Sequence, residues 1–384
     1  VSLPIRIPII YHGVGSIEHL RNFREKRILI VSDKTVIQMF GDKLSDIFKD
    51  RETKIFDEVE PDPKDTIMVR CGDVARKFKP ELIIGIGGGS AMDTAKAAYF
   101  LYGQESLKLY DINVLVEYNL REKSKLVLIP TTSGTGAEHT PGLVVTNTQT
   151  GQKVSLASFE LIPWAVILDP ALTLKMPQKL TAATGLDALT QAIEGAISKM
   201  GSDFTQALNL YAIKILFKYL PMAAGEGAGD IQVRAKVHFA ASMAGIGFGN
   251  SGLGLAHSCG HALGGAFHIP HGISVGVMLP YVIEFNKPEC RDKYIEILEC
   301  LNIMGVEDPA ATLSNMVRDI LRKLKTPLSI RGLGVSEKDW EQNFEKIVNW
   351  TKSDIITMIN PRMASEEQIK KIFQYAYQGK PIDF

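Results

Sequence analysis

The sequence predicts an α/β nucleotide-binding domain built on a parallel sheet, followed by an all-helical domain. Three observations carry this. Short β-branched runs alternate with amphipathic stretches through the first half, the pattern of strands joined by covering helices. After Asp169-Pro170 the β runs almost stop, and apolar residues recur at helical spacing. At 384 residues the chain is also long for one core, so two domains are expected. The boundary is placed within residues 174–179, giving domains 1–177 and 178–384.

The elements follow in order. Val1 to Ile10 is short, β-branched and punctuated by proline, and reads as a strand rather than a signal peptide. Arg27 to Val31 is a buried-strand run, followed by a helical pattern over 35–49. Glu81 to Ile86 is a second such run, leading into a helix over 91–102, and Lys125 to Pro130 is a third. Leu143 to Thr146 and Trp164 to Asp169 add further strand. In the second half, Asp203 caps a helix to Leu220 that spaces Phe204, Ala207, Leu208, Tyr211, Ile215 and Tyr219 on one side. Residues 230–245 and 309–324 read as further helices, and Pro221 to Gly229 as a loop.

Lys+Arg and Asp+Glu both total 43, so no positive field is available for nucleic acid or an anionic membrane. No apolar run approaches the ~18 residues that span a bilayer. Cys71, Cys259, Cys290 and Cys300 form no CxxC pair, which suggests reduced thiols and a cytoplasmic protein.

Gly85-Ile86-Gly87-Gly88-Gly89-Ser90 links a strand to a helix. Glycines admit a diphosphate to the backbone N–H groups, and a helix N-terminus adds about half a positive charge. The alternative is a tight turn with Ser90 as cap and Asp93 completing a capping box. Pro130-Thr131-Thr132-Ser133-Gly134-Thr135-Gly136 repeats the arrangement after the next strand, and paired loops at strand carboxyl ends are where such sheets bind nucleotides. Asp33 ends the preceding strand. It either accepts a ribose hydroxyl and repels a 2′-phosphate, favouring NAD over NADP, or caps a helix in Ser32-Asp33-Lys34-Thr35.

The second half concentrates imidazole. Four of the eight histidines, His257, His261, His268 and His271, fall within 257–271. Asp187 and Gln191 lie one helical turn apart, as do His257 and His261. A carboxylate with two or more imidazoles is a ligand set that holds iron(II) or zinc while leaving a position open for substrate. His268 is the weakest member of the group. His12, His19 and His238 are isolated, while Glu194 and Glu138 have no imidazole companion in sequence and read as salt-bridge residues.

Gly-Gly-Gly-Ser-Ala-Met-Asp-Thr-Ala-Lys (87–96), Pro-Thr-Thr-Ser-Gly-Thr-Gly-Ala-Glu (130–138), Gly-Leu-Asp-Ala-Leu-Thr-Gln-Ala-Ile-Glu (185–194) and the histidine-rich stretch 257–272 together resemble the iron-containing (group III) alcohol dehydrogenases, in order and over most of the chain. The resemblance implies the dehydroquinate synthase-like fold with its active site in the cleft. It also implies NAD(P)-dependent oxidation of a primary alcohol or small diol, or the reverse aldehyde reduction, in a homodimer.

Carried over residue by residue, it puts the diphosphate on Gly87, Gly88, Gly89 and Ser90. Asp93, Thr131, Thr132, Thr135 and Lys153 would line the nucleotide, with Asp33 at the adenosine ribose. Asp187, His257 and His271 would hold a divalent metal, iron(II) favoured and zinc possible. His261 would stand beside substrate and nicotinamide as a proton relay. The sequence departs from the family at one ligand position, where Gln191 replaces an imidazole. His139 stands where an apolar residue is usual, and reads either as a substrate-side or as a surface residue.

Alternatives on the same scaffold are a glycerol-dehydrogenase-like polyol oxidation and a dehydroquinate-synthase-like lyase. The lyase needs a basic cleft, and residues 237–286 contain no Arg or Lys. A third alternative is a nucleotide-binding protein whose metal site has decayed through Gln191.

Overall fold

The computed structural model describes residues 4–384. The chain divides into two compact units, one ending at Lys175 and one beginning at Met176. The first contains β1 (Ile9–His12), β2 (Arg27–Val31), α1 (Lys34–Ile47), β3 (Glu52–Phe56), α2 (Asp65–Phe78), β4 (Leu82–Gly87), α3 (Gly89–Gly103), β5 (Lys125–Pro130), β6 (Gly142–Thr146), β7 (Lys153–Ala157) and β8 (Ala165–Leu168). Six strands form one all-parallel sheet in the order β1-β8-β5-β4-β2-β3.

Alternation along the strands explains why they read as continuous apolar runs. On β2, Leu29 and Val31 join the cluster of Met92, Ala95 and Phe100 from α3, while Ile28 and Ile30 join the cluster of Val36, Leu44 and Ile47 from α1. A parallel sheet covered on both faces buries nearly every position of its central strands.

The order also creates a topological switch. From β2 the chain steps outward to β3 and then returns to the other side at β4, so the loops after β2 and β4 diverge and leave a crevice at their carboxyl ends.

Several expectations change. Of the strand expected over Val1 to Ile10, residues 1–3 lie outside the described residues, and the strand observed begins only at Ile9. Leu143 to Thr146 does not join the sheet; β6 pairs antiparallel with β7 as a separate hairpin. Strand β3 and helix α2 had no counterpart in the sequence reading. Four of the five β3 residues are exposed, so this edge strand lacks an apolar run.

The second unit is helical throughout: α4 (Gln178–Ile197), α5 (Asp203–Ala223), α6 (Ile231–Gly249), α7 (Leu255–Phe267), α8 (His271–Phe285), α9 (Lys287–Cys300), α10 (Pro309–Lys323), α11 (Glu337–Ser353) and α12 (Glu366–Gln378). Pro221 lies inside the last turn of α5, so the expected loop begins three residues later. One core joins α4 to its neighbours through Leu186, Leu189 and Ile193, packed with Leu216, Leu220, Leu263 and Met278. No helix among the described residues is long and apolar enough to cross a membrane.

Candidate metal centre and nucleotide loops

Helix α4 carries Asp187, Gln191 and Glu194 at i, i+4 and i+7, hence on one face, and all three are buried. Helix α7 carries His257 and His261, and His271 opens α8. Close packing of α8 on α4 depends on Gly272: a Cβ there would meet the Ala183 carbonyl oxygen at 1.9 Å and Asp187 Cβ at 3.1 Å.

The result is a three-donor cluster. His257 Nε2 lies 3.3 Å and His271 Nε2 3.4 Å from Asp187 Oδ1, and the three donor atoms fall within 4.8 Å of one another. Nitrogen and carboxylate oxygen at this spacing fit a divalent transition metal. Burial raises the Asp187 carboxyl, but the His271 and His257 imidazoles outweigh it and hold the group well below the ordinary carboxylate range. Burial lowers His257, yet Glu194 and Asp187 together push it up to about 9.

Glu194, read from sequence as a salt-bridge residue, accepts from His257 Nδ1 at 2.6 Å and from the Ala256 amide at 2.6 Å. His261 stands outside the donor cluster. Its ring stacks on that of His271 at 5.3 Å, and its Nδ1 lies 2.9 Å from Asp354 Oδ2. Burial, opposed by the Asp354 hydrogen bond, holds the His261 imidazole below its ordinary value. Asp354 escaped the sequence reading, since nothing in its neighbourhood marks it. His268 is exposed, in the left-handed conformation that ends α7.

The glycine loop of the first unit uses backbone instead. Gly87 has φ +148°, a conformation that favours glycine, and a Cβ there would meet Ala91 Cβ at 2.7 Å. The N-cap of α3 is Gly88, with no side-chain capping bond, so the alternative capping box of Ser90 and Asp93 does not form. Uncapped N–H groups at this helix start suit a diphosphate. The second loop lies alongside: the Thr131 amide bonds the Gly87 carbonyl at 2.9 Å, and positions beside Gly88 and Gly89 face Thr132 and Thr135 at 3.6 and 3.0 Å. Ser90 follows in the first turn of α3.

Asp33 caps a helix, as one of its two readings had it. Oδ1 caps α1 through the Val36 amide at 2.9 Å, while Oδ2 lies 3.6 Å from the Cβ position of Gly87, in the switch-point crevice.

Asp93 and Lys153 each have partners within the first unit. Asp93 is buried, its Oδ2 accepting from the Val144 amide at 2.9 Å and its Oδ1 lying 4.0 Å from Lys96 Nζ; burial pushes it up to about 6. Lys153 pairs with Asp62 at 2.6 Å. His139, expected at the substrate side or on the surface, is fully buried, with Nε2 3.7 Å from Glu138 Oε1.

Comparison with known proteins agrees with this architecture. A profile described as iron-containing alcohol dehydrogenase matches residues 8–170, and one for the C-terminal part of the Fe-containing alcohol dehydrogenase family matches residues 181–377. The NADPH-dependent butanol dehydrogenase of Clostridium saccharobutylicum is 35% identical over 382 residues, covering 98% of each chain. The 1-propanol dehydrogenase PduQ of Citrobacter freundii is 33% identical, covering 95% of this chain and 97% of that one. A crystal structure of 1,3-propanediol oxidoreductase matches with a TM-score of 0.90 at 31% identity, over 98% of this chain and 100% of the other. The chain belongs to the iron-containing alcohol dehydrogenase family, whose members are metal-containing, NAD(P)-dependent oxidoreductases of alcohols and aldehydes.

Proposed function

We propose that this enzyme interconverts a small primary alcohol or diol and its aldehyde, using NAD in preference to NADP and one divalent metal held by Asp187, His257 and His271. The observation that carries the reading is the convergence of those three donors from three helices within 4.8 Å. Two imidazoles and a carboxylate suit iron(II), with zinc the alternative. When bound, the metal supplies Lewis acidity toward the substrate oxygen.

The protein's own residues do the rest. Gly87, Gly88, Gly89 and Ser90 receive the diphosphate on backbone amides, with Thr131, Thr132 and Thr135 beside them. The carboxylate of Asp33 meets the adenosine ribose and disfavours a 2′-phosphate, although the butanol dehydrogenase relative is named as NADPH-dependent. His261 takes up or returns the hydroxyl proton at Nε2, since its Nδ1 faces Asp354. Asp93 and Lys153 are assigned to the lining of the nucleotide on the resemblance alone. A cytoplasmic homodimer acting on small alcohols fits the balanced charge, the free cysteines and the names of the relatives.

Gln191 favours a second reading, in which the metal site has decayed. Its amide is a weaker donor than the imidazole it replaces; if the site is weakened and not decayed, the ion should be held but lost readily to chelators. The test follows NADH absorbance across a panel of alcohols and aldehydes with NAD and with NADP, beside metal content. Turnover with a primary alcohol, faster with NAD, supports the proposal. A metal-free chain that stays inactive after supplementation supports the decayed site. In a chelator titration, Gln191→His should retain metal longer than the unmodified protein.

A further inference from the structure

The two histidines of α7 share one kind of support. His257 Nδ1 meets Glu194 Oε2 at 2.6 Å, and His261 Nδ1 meets Asp354 Oδ2 at 2.9 Å. Each carboxylate uses its other oxygen on a backbone amide at the start of a helix: Glu194 Oε1 on Ala256 in the first turn of α7, at 2.6 Å, and Asp354 Oδ1 on Ile356 in the short helix Ile355–Ile359, at 3.0 Å. The carboxylates come from different elements, α4 and the loop after α11.

The geometry has a chemical consequence. A carboxylate that accepts on both oxygens leaves Nδ1 as the protonated nitrogen of each ring and Nε2 as the one with a lone pair. His257 Nε2 lies 3.3 Å from Asp187 Oδ1, within the donor cluster, where a bound metal would take the place of its proton and use that lone pair. The His261 lone pair belongs to no donor cluster among the described residues, so it remains available to a proton. A neutral amide could serve only one of the two N–H donors at either position, and its own NH₂ would oppose the other.

We infer that Glu194 and Asp354 are positioning residues that divide the work of α7, Glu194 presenting His257 to the metal and Asp354 presenting His261 to the substrate proton. This rests on the assignment of Asp187, His257 and His271 as metal donors. Carboxylates behind ligating imidazoles typically change metal affinity by ~10–100-fold, whereas a misoriented proton relay lowers turnover and leaves the ion in place.

The test uses the full chain with cobalt(II) as probe, read by its ligand-field absorption and by competition with a chromophoric chelator, alongside kcat and KM. Glu194→Gln should raise the cobalt dissociation constant about 10–100-fold and alter the absorption band. Asp354→Asn should leave that constant within about threefold and the band unchanged, while kcat falls at least about tenfold with KM for NAD unaltered. If Glu194→Gln fails to fold, Glu194→Asp is read in the same way, because the shorter side chain keeps its charge but cannot span both donors. Cobalt affinity in the Glu194 variant equal to that of the unmodified chain overturns the role given to that residue. Loss of cobalt from Asp354→Asn, or unchanged kcat, overturns the other. An unmodified chain that binds no cobalt removes the metal assignment, and this inference with it.

Discussion

The proposed metal centre and the proposed nucleotide loops would hold a charged group in different ways. At the proposed metal centre side chains would do the holding, with Glu194 bonded behind His257 and packing at Gly272 bringing His271 to Asp187. At the glycine loops, proposed to take the diphosphate, backbone would do the holding and side chains would matter mainly by keeping away; Gly88 caps α3 without a side-chain bond. The difference teaches where each site is fragile. The first fails when one functional group is removed, because the remaining buried charges lose their compensation. The second fails when atoms are added.

Asp187→Ala should break the first site most severely. His257 and Glu194 would remain buried without the carboxylate that joins the two imidazoles, metal should be absent, and turnover should fall by about 10³-fold or more. Metal content and NADH formation, measured on the same preparation, check this. Gly87→Val is the matching change at the second site. A Cβ would meet Ala91 at 2.7 Å in a backbone conformation that side chains rarely adopt, so KM for NAD should rise by about 10–100-fold while metal content is unchanged. Parallel loss of metal would show that the two sites are not separable in this way.

Asp33→Gly sharpens the comparison on a smaller scale. It removes a carboxylate from the switch-point crevice, so the ratio of kcat/KM for NAD over NADP should drop by about tenfold. Equal use of both cofactors by the unmodified protein would rule out that role for Asp33. The change also removes the side-chain cap of α1, but glycine is itself tolerated at an N-cap, so the cost is only about 0.3 kcal/mol and Tm should barely move.

The smallest effect concerns a buried carboxylate outside both sites. Burial, only partly offset by a backbone hydrogen bond and by Lys96, raises Glu138 to about 7 from an ordinary value of 4.5. The folded protein therefore binds this proton more tightly than the unfolded chain. The resulting stability is fully present below pH 4.5 and is lost as pH rises through 7, on the order of 1–3 kcal/mol. Melting temperatures at pH 5 and pH 8 should differ less in Glu138→Gln than in the unmodified protein.

The same contrast governs how much was legible in the sequence. Asp187, His257 and His271 could be singled out as candidates because imidazoles crowd within 257–271 and the motifs around them resemble those of a family, although Asp187 and His257 are themselves 70 residues apart. Glu194 and Asp354 could not be assigned, since the imidazoles they hold are 63 and 93 residues away. Asp93 looked like half of a capping box because its partner, Val144, is 51 residues distant. The parallel sheet was legible from buried strands such as β2 and β4. The switch point was not, because it depends on β3, an exposed edge strand whose pairing with β2 nothing local announces.

The central claim is that three side chains from α4, α7 and α8 hold one metal on which alcohol oxidation depends. The direct measurement is metal stoichiometry by elemental analysis, taken with NADH formation before chelation, after chelation and after iron(II) or zinc is restored. The account predicts about one divalent ion per chain, loss of activity in step with loss of the ion, and recovery on restoration, with neither binding nor recovery in Asp187→Ala. Full activity in the metal-free protein, or stoichiometric metal in Asp187→Ala, would contradict it.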